Sequence, residues 1–229
     1  MEAADRAAAG ARSAVDTSEE AEMNVYEAIA ARRDVRNEFT GNVLSEEQLH
    51  RVLSAAHAAP SVGNTQPWDF VVVQDRDILR RFAAHVAERR EAFAGSLPSD
   101  RADTFRPIVV EGIESSGTGV VVTYDPARGG RHILGRHTID ETGRLSVGLA
   151  IQNLWLAATA EGLGVGWVSF YTESVLHELI GIPDGIEVVA WLCLGPVTEL
   201  QAVPDLERFG WRDRRPFGDV VHRESFGAS

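Results

Sequence analysis

From residue 146 to residue 161 the chain is apolar on nearly every face, with Val147, Leu149, Ile151, Leu154, Trp155 and Leu156 leaving no polar stripe. A helix at the surface of a domain carries one apolar stripe, whereas one apolar all round must be covered on every side. The segment is therefore either the central buried helix of a layered domain or a helix shared with a second subunit. Gly162 supplies the glycine expected just past its end. The other elements arrange themselves about it. A capping box, Ser45 to Gln48, opens a helix with the apolar face Leu49, Val52, Leu53 and Ala56, which Pro60 stops. A similar box, Thr17 to Glu20, precedes Met23, Tyr26, Ile29 and Ala30 at helical spacing and predicts the first ordered helix. Residues 1–16, without apolar periodicity, read as a disordered tail.

Apolar runs at 70–73, 120–124, 165–170 and 186–194 predict strands. Helices are expected through Ile78, Leu79, Phe82 and Val86, and over Glu173–Ile180. Residues 88–119 lose periodicity and read as a mobile excursion with room for a helix, and 125–143 as a long loop of the kind that is more often functional than idle. After Gly195 comes an arm lying over the body or over a partner. Helices and strands in this order form a single α/β or α+β sheet with helices on its faces. At 229 residues and 44% hydrophobic content, one domain with a full core is the expectation.

All 22 basic residues are arginine, against 34 acidic ones, for a net charge of −12. Without lysine there is no P-loop, no pyridoxal Schiff base and no lysine general base. An anion must be held by Arg forks, His or backbone N–H groups. The acidic balance disfavours nucleic acid as a partner. One cysteine, Cys193, excludes an internal disulfide and a thiolate metal cluster, so a cytoplasmic location is the simple reading. The longest apolar stretches are about half of a membrane span, and the charged N-terminal residues leave no room for a secretory signal.

Several segments carry candidate chemistry. Arg32, Arg33 and Arg36 around Asp34 form an anion cradle, in which the guanidiniums should keep Asp34 ionised; a solvated helix end would look similar. The run from Ala59 to Trp68 can present backbone N–H groups, with Asn64 and Gln66 adding amides. Gly162 to Ser169 has G-x-G-x-G spacing but follows a helix and enters a strand, the reverse of a Rossmann loop. Its Ser169 lies at a strand end, well placed to face a ligand. His132 and His137 have no third ligand at a fixed spacing, and no metal is expected. Arg208, Arg212, Arg214, Arg215 and Arg223 balance five acids and make the tail neutral on an acidic chain, as a second phosphate contact or as part of a salt-bridge network with a partner subunit.

Taken in order, several motifs resemble the FMN-dependent nitroreductase superfamily, and within it the BluB-type 5,6-dimethylbenzimidazole synthases. They are Arg32-Arg33-Asp34-Val35-Arg36, Ala59-Pro60-Ser61-Val62-Gly63, Gln66-Pro67-Trp68, Glu111-Gly112-Ile113, and Arg128-Gly129-Gly130 with Leu134-Gly135-Arg136. They continue through Gln152-Asn153-Leu154-Trp155, Gly164-Val165-Gly166-Trp167-Val168-Ser169, residues 189–195, and Gly210-Trp211-Arg212. The resemblance runs over residues 26–221. It implies an α+β nitroreductase-like fold with a central mixed sheet flanked by helices. Residues 17–195 would form the flavin-binding domain, and 196–229 a domain-swapped C-terminal arm over the partner subunit of a homodimer, with two FMN sites at the interface.

Carried over, Arg32 and Arg33 with Arg212 and Arg214 would hold the phosphate, and Arg36 would face the N1–C2 side of the ring. Ser61, Gly63, Asn64, Gln66 and Gly166 would line the flavin, the Gly63 amide meeting dioxygen. Asp34, where ordinary nitroreductases usually have Ser, would be the base, and Ser169 a proton relay. The implied reaction is the O2-dependent fragmentation of reduced FMN to 5,6-dimethylbenzimidazole and erythrose 4-phosphate, with the reduced flavin supplied by a separate reductase. The rival is an NAD(P)H-dependent FMN reductase of nitro or quinone compounds, a type in which Asn64 is usual.

Overall fold

The computed structural model describes residues 23–227, so the expected 1–16 tail and the Thr17–Glu20 box lie outside the described residues. The first helix, α1 (Val25–Ala31), starts at a different box. Asn24 accepts from the backbone of Tyr26 and Glu27, and the Glu27 side chain accepts from the Asn24 N–H. Helix α2 (Glu46–His57) is capped by Ser45 and Gln48 as the sequence predicts. Then follow β1 (Trp68–Val73), α3 (Arg76–Ser96), α4 (Ser99–Phe105), α5 (Ile113–Ser116) and β2 (Thr118–Tyr124). The chain continues through α6 (Thr142–Ala160), β3 (Leu163–Val168), α7 (Glu173–Ile180), β4 (Glu187–Pro196) and the short α8 (Asp205–Arg208).

The strands form one sheet in the order β1-β2-β4-β3. All three ladders are antiparallel, so the expected mixed sheet is corrected; the parallel element is a single bridge between Asp34 and Val165 at the outer edge of β3. Side chains alternate across a strand. On β2, Val120 and Val122 enter a core with α2 and α6, while Val121 enters the opposite core with Leu79, Phe82 and Val86 of α3 and Leu176 of α7. Both faces of the central strands are covered, which is why they read as continuous apolar runs. Helix α6 is the inner helix of the first core, with Val147, Ala150, Leu154 and Ala158 fully buried. Its N-terminal half still exposes Leu145 and Leu149, at 63% and 48%. No helix among the described residues is long and apolar enough to cross a membrane.

One segment differs from expectation. Residues 88–119 form an ordered cover, in which α3 runs to Ser96 and α4 follows. Arg90 donates to the carbonyls of Arg106 and Ile108 at 2.9 and 3.1 Å and lies over the Phe105 ring. The arm after β4 does not leave at once for a partner. Thr198 N–H donates to Glu38 O, Arg33 donates to Ala202 O at 2.6 Å, and Trp211 packs on Phe105 of its own chain. Beyond it, Phe217 and Phe226 are 81% and 95% exposed.

Candidate active site

The chain leaves α1 at Arg32 and runs beside the outer edge of β3. Val35 N–H donates to Val165 O at 2.9 Å, and the Trp167 N–H donates to Asp34 Oδ1 at 2.9 Å. Arg36 is buried and donates through Nη2 to Asp34 Oδ2 at 2.6 Å and to Trp167 O at 2.7 Å, and through Nη1 to Val35 O at 3.0 Å. Room for this guanidinium comes from Gly166, where any Cβ would overlap Arg36 Nη1 and Val35 O. Gly166, expected to line the cofactor, is buried in the β3–β4 ladder, where it seats Arg36.

Above this edge lies a cleft of about 420 Å³. Asp34, Arg36, Trp167 and Ser169 form its polar side, and Phe93, Phe105, Ile108 to Val110, Phe170, Leu206 and Trp211 its apolar walls. The aromatic walls brace one another, with ring centroids of Phe93–Phe105 at 5.0 Å, Phe93–Phe170 at 5.5 Å and Phe105–Trp211 at 6.0 Å. The Arg101 guanidinium lies over the Trp211 ring at 3.8 Å. These wall residues are the part of the site that the sequence reading missed. They carry no local signal: Phe93 and Phe105 are the two aromatic residues of 88–119, and Phe170 and Trp211 lie far along the chain.

Asp34 and Pro204 also line a second groove, of about 530 Å³, with Tyr26, Arg32, Arg33, Glu207 and Arg214. Half of the Asp34 side-chain surface is accessible, but it opens into these two hollows and is otherwise ringed by protein. Withdrawal from bulk water raises its pKa from the ordinary aspartate value, against the opposing pull of Arg36, the Trp167 N–H and Arg32. The expected dominance of the arginines is thus corrected: they are adjacent, but desolvation outweighs them. Burial also lowers the Arg32 pKa, with Asp34 opposing and the like charges of Arg33 and Arg214 adding to the decrease. Arg33 is largely committed to carbonyls, those of Ala30, Arg32 and Ala202, yet its Nε is buried with no partner among the described residues. Crowded guanidiniums suit an anion such as a phosphate. Arg214 joins Arg32 there, whereas exposed Arg212 does not line the groove.

The turn Ser61–Gln66 stands apart from this cleft, at the start of β1 on the other edge of the sheet. Ser61 Oγ accepts from Gln66 N–H at 2.9 Å, Gln66 Nε2 donates to Asn64 Oδ1 at 2.6 Å, and Val62 N–H donates to Ser146 Oγ at 3.0 Å. Gly63 is left-handed, with φ 56°. Within one chain, Asp34, Arg36 and Ser169 meet, and Ser61, Gly63, Asn64 and Gln66 do not join them. His132 and His137 line a separate surface hollow with Arg131 and Arg136. His57 is structural, accepting at Nδ1 from Trp68 Nε1 at 3.2 Å.

Residues 29–196 match the model of the Nitroreductase family. The chain is 42% identical to a 5,6-dimethylbenzimidazole synthase of Rhodospirillum rubrum over 193 residues, 84% of this chain and 90% of that protein. It is 33% identical to a 5,6-dimethylbenzimidazole synthase of Rhodobacter capsulatus over 83% of this chain and 91% of that one. Among solved structures it is similar to a BluB-like flavoprotein from Clostridium difficile, with a TM-score of 0.64, 24% identity, and coverage of 87% and 98%. An iodotyrosine deiodinase bound to FMN and 3-iodo-L-tyrosine shares the fold at a TM-score of 0.70 and 19% identity, covering 89% of this chain and 100% of that one.

Proposed function

The chain belongs to the nitroreductase family, and from that membership we propose that it is a 5,6-dimethylbenzimidazole synthase acting on reduced FMN and O2. The observation that carries the reading is Asp34, a carboxylate of raised pKa fixed by Arg36 and the Trp167 N–H in a cleft shared with Ser169. As substrate, reduced FMN would supply the carbon framework and the electrons that O2 accepts, giving 5,6-dimethylbenzimidazole, erythrose 4-phosphate and the oxygenated pyrimidine remnant of the ring, which carries both atoms of O2. Arg32 and Arg214, in the groove that Arg33 also lines, hold the phosphate.

Each protein group has a task that its setting supports. A base is most effective when its pKa approaches the working pH, so desolvation of Asp34 favours removal of a proton from the substrate. Arg36 and Trp167 orient the carboxylate, and Ser169 passes the proton on. The aromatic walls exclude water from the cleft. Ser61, Gly63, Asn64 and Gln66 contact the flavin from the partner of a homodimer, a role supported by their distance from the cleft within one chain. The exposed Leu145 and Leu149 of α6 support that interface, and the distal arm, Phe217 onward, reaches the partner. The reduced flavin comes from a separate reductase. Buried, unpaired Cys193 supports a reducing, cytoplasmic setting.

The test is aerobic incubation with chemically reduced FMN. Formation of 5,6-dimethylbenzimidazole is expected; simple reoxidation of FMN, with turnover restored by NAD(P)H and a nitro or quinone acceptor, would replace this reading with the reductase one.

A further inference from the structure

The Arg128-Gly129-Gly130 motif has no part in the site as described so far. Its surroundings give it one. The turn before β1 carries three left-handed residues, Gly63, Asn64 and Gln66, at φ 56°, 53° and 42°. Asn tolerates that region, but Gln rarely enters it, and such strain persists only where the surroundings over-determine it. The segment after β2 grips three successive carbonyls of this turn and its exit. Arg128 Nη1 donates to Gln66 O at 3.4 Å and Trp68 O at 3.0 Å, and Asp125 N–H donates to Pro67 O at 2.8 Å. The fork itself is aimed by carboxylates. Nη2 donates to Asp69 Oδ2 at 2.8 Å, Nη1 to Asp69 Oδ1 at 3.2 Å, and Nε lies 3.4 Å from Asp125 Oδ2. Further along, the loop closes on the turn, for a Cβ on Gly63 would meet Ile133 Cγ2 at 2.8 Å.

We infer that Arg128 is a positioning residue, which holds the Ser61–Gln66 turn in its left-handed conformation and so sets its N–H groups and amides against the flavin. The inference rests on the proposed role of that turn as a flavin contact. An ordinary surface ion pair with Asp69 would contribute little. What distinguishes Arg128 is that one planar fork reaches two carbonyls and a carboxylate together, a geometry an ammonium cannot match.

The experiment measures FMN affinity by flavin fluorescence, alongside KM and kcat for product formation, in full-length Arg128→Ala and Arg128→Lys, with folding checked by circular dichroism. Both variants are expected to bind FMN about tenfold more weakly, the loss of one charge-assisted contact set. KM should rise more than kcat falls, because Asp34 is untouched. Unchanged affinity in Arg128→Ala, or full affinity in Arg128→Lys, overturns the positioning role. Should Arg128→Ala fail to fold, Asp69→Asn, which only unaims the fork, is expected to weaken FMN binding about threefold, and wild-type affinity there overturns it equally. The two readings fail separately: wild-type protein that makes no product removes the synthase function, whatever the Arg128 variants do to FMN affinity.

Discussion

The Asp34 carboxylate and the Arg36 guanidinium stand 2.6 Å apart, and the peptide of Trp167 serves both, its N–H on Asp34 Oδ1 and its carbonyl on Arg36 Nη2. Each carboxylate oxygen therefore has one fixed partner, and the rotation of the group is set by β3. This is how a short, exposed loop comes to hold a base with the precision of a strand.

Replacing the base separates binding from chemistry. Asp34→Asn keeps an oxygen for the Trp167 N–H, so FMN affinity measured by fluorescence should change little. Product formation followed by chromatography should fall at least about 100-fold, the lower end of a general base's contribution. Unchanged yield would remove Asp34 from the mechanism.

The raised pKa of Asp34 fixes the sign of the pH dependence. The base works when ionised, so kcat/KM should rise with pH along an acid limb lying above the ordinary aspartate range, and Asp34→Asn should lack that limb. Stability moves the other way. The folded protein keeps this proton to a higher pH than the unfolded chain does, so the group's contribution to folding falls as pH rises from the ordinary aspartate pKa through the raised one. Urea titrations across that window, compared with Asp34→Asn, measure it.

Trp211 closes the cleft from the arm, under Arg101 and against Phe105. Trp211→Ala should lose up to about 3 kcal/mol of stability, less than a fully buried aromatic. It should also let water in, so that oxygen is still consumed while a several-fold smaller share of reduced FMN becomes product. An unaltered ratio of product to oxygen would show that the wall does not govern the outcome.

Leu149 lies on the exposed face of α6. Leu149→Arg places an unpaired guanidinium in the proposed dimer interface and should weaken self-association by at least about 100-fold, read by light scattering. A dimer of wild-type affinity would move the interface elsewhere.

What the sequence made legible was local. The Ser45 box, the strands and the helix Glu173–Ile180 follow from periodicity and capping, and Asp34 and Ser169 do share a cleft. What it hid was tertiary. Phe93, Phe105, Phe170 and Trp211 are scattered along the chain, and nothing in the spacing of 88–119 shows that they meet, so an ordered cover read as a mobile one. Neighbouring arginines can be counted from letters, but the desolvation of Asp34 cannot. That Gly166 leaves room for Arg36 was not legible either, because a glycine is the same letter whatever fills its space. Likewise, linear order cannot say whether the Ser61 turn meets the Asp34 cleft within one subunit or between two.

The Asp34–Val165 bridge lies along the outer edge of β3. β3 ends the sheet, and an open sheet edge is a template on which other chains can add strands and aggregate. Here Val165 O and the Trp167 N–H are already taken by Val35 and Asp34. The residues that arrange the chemistry thus also occupy part of the β3 edge, leaving fewer free backbone groups there on which another chain could pair.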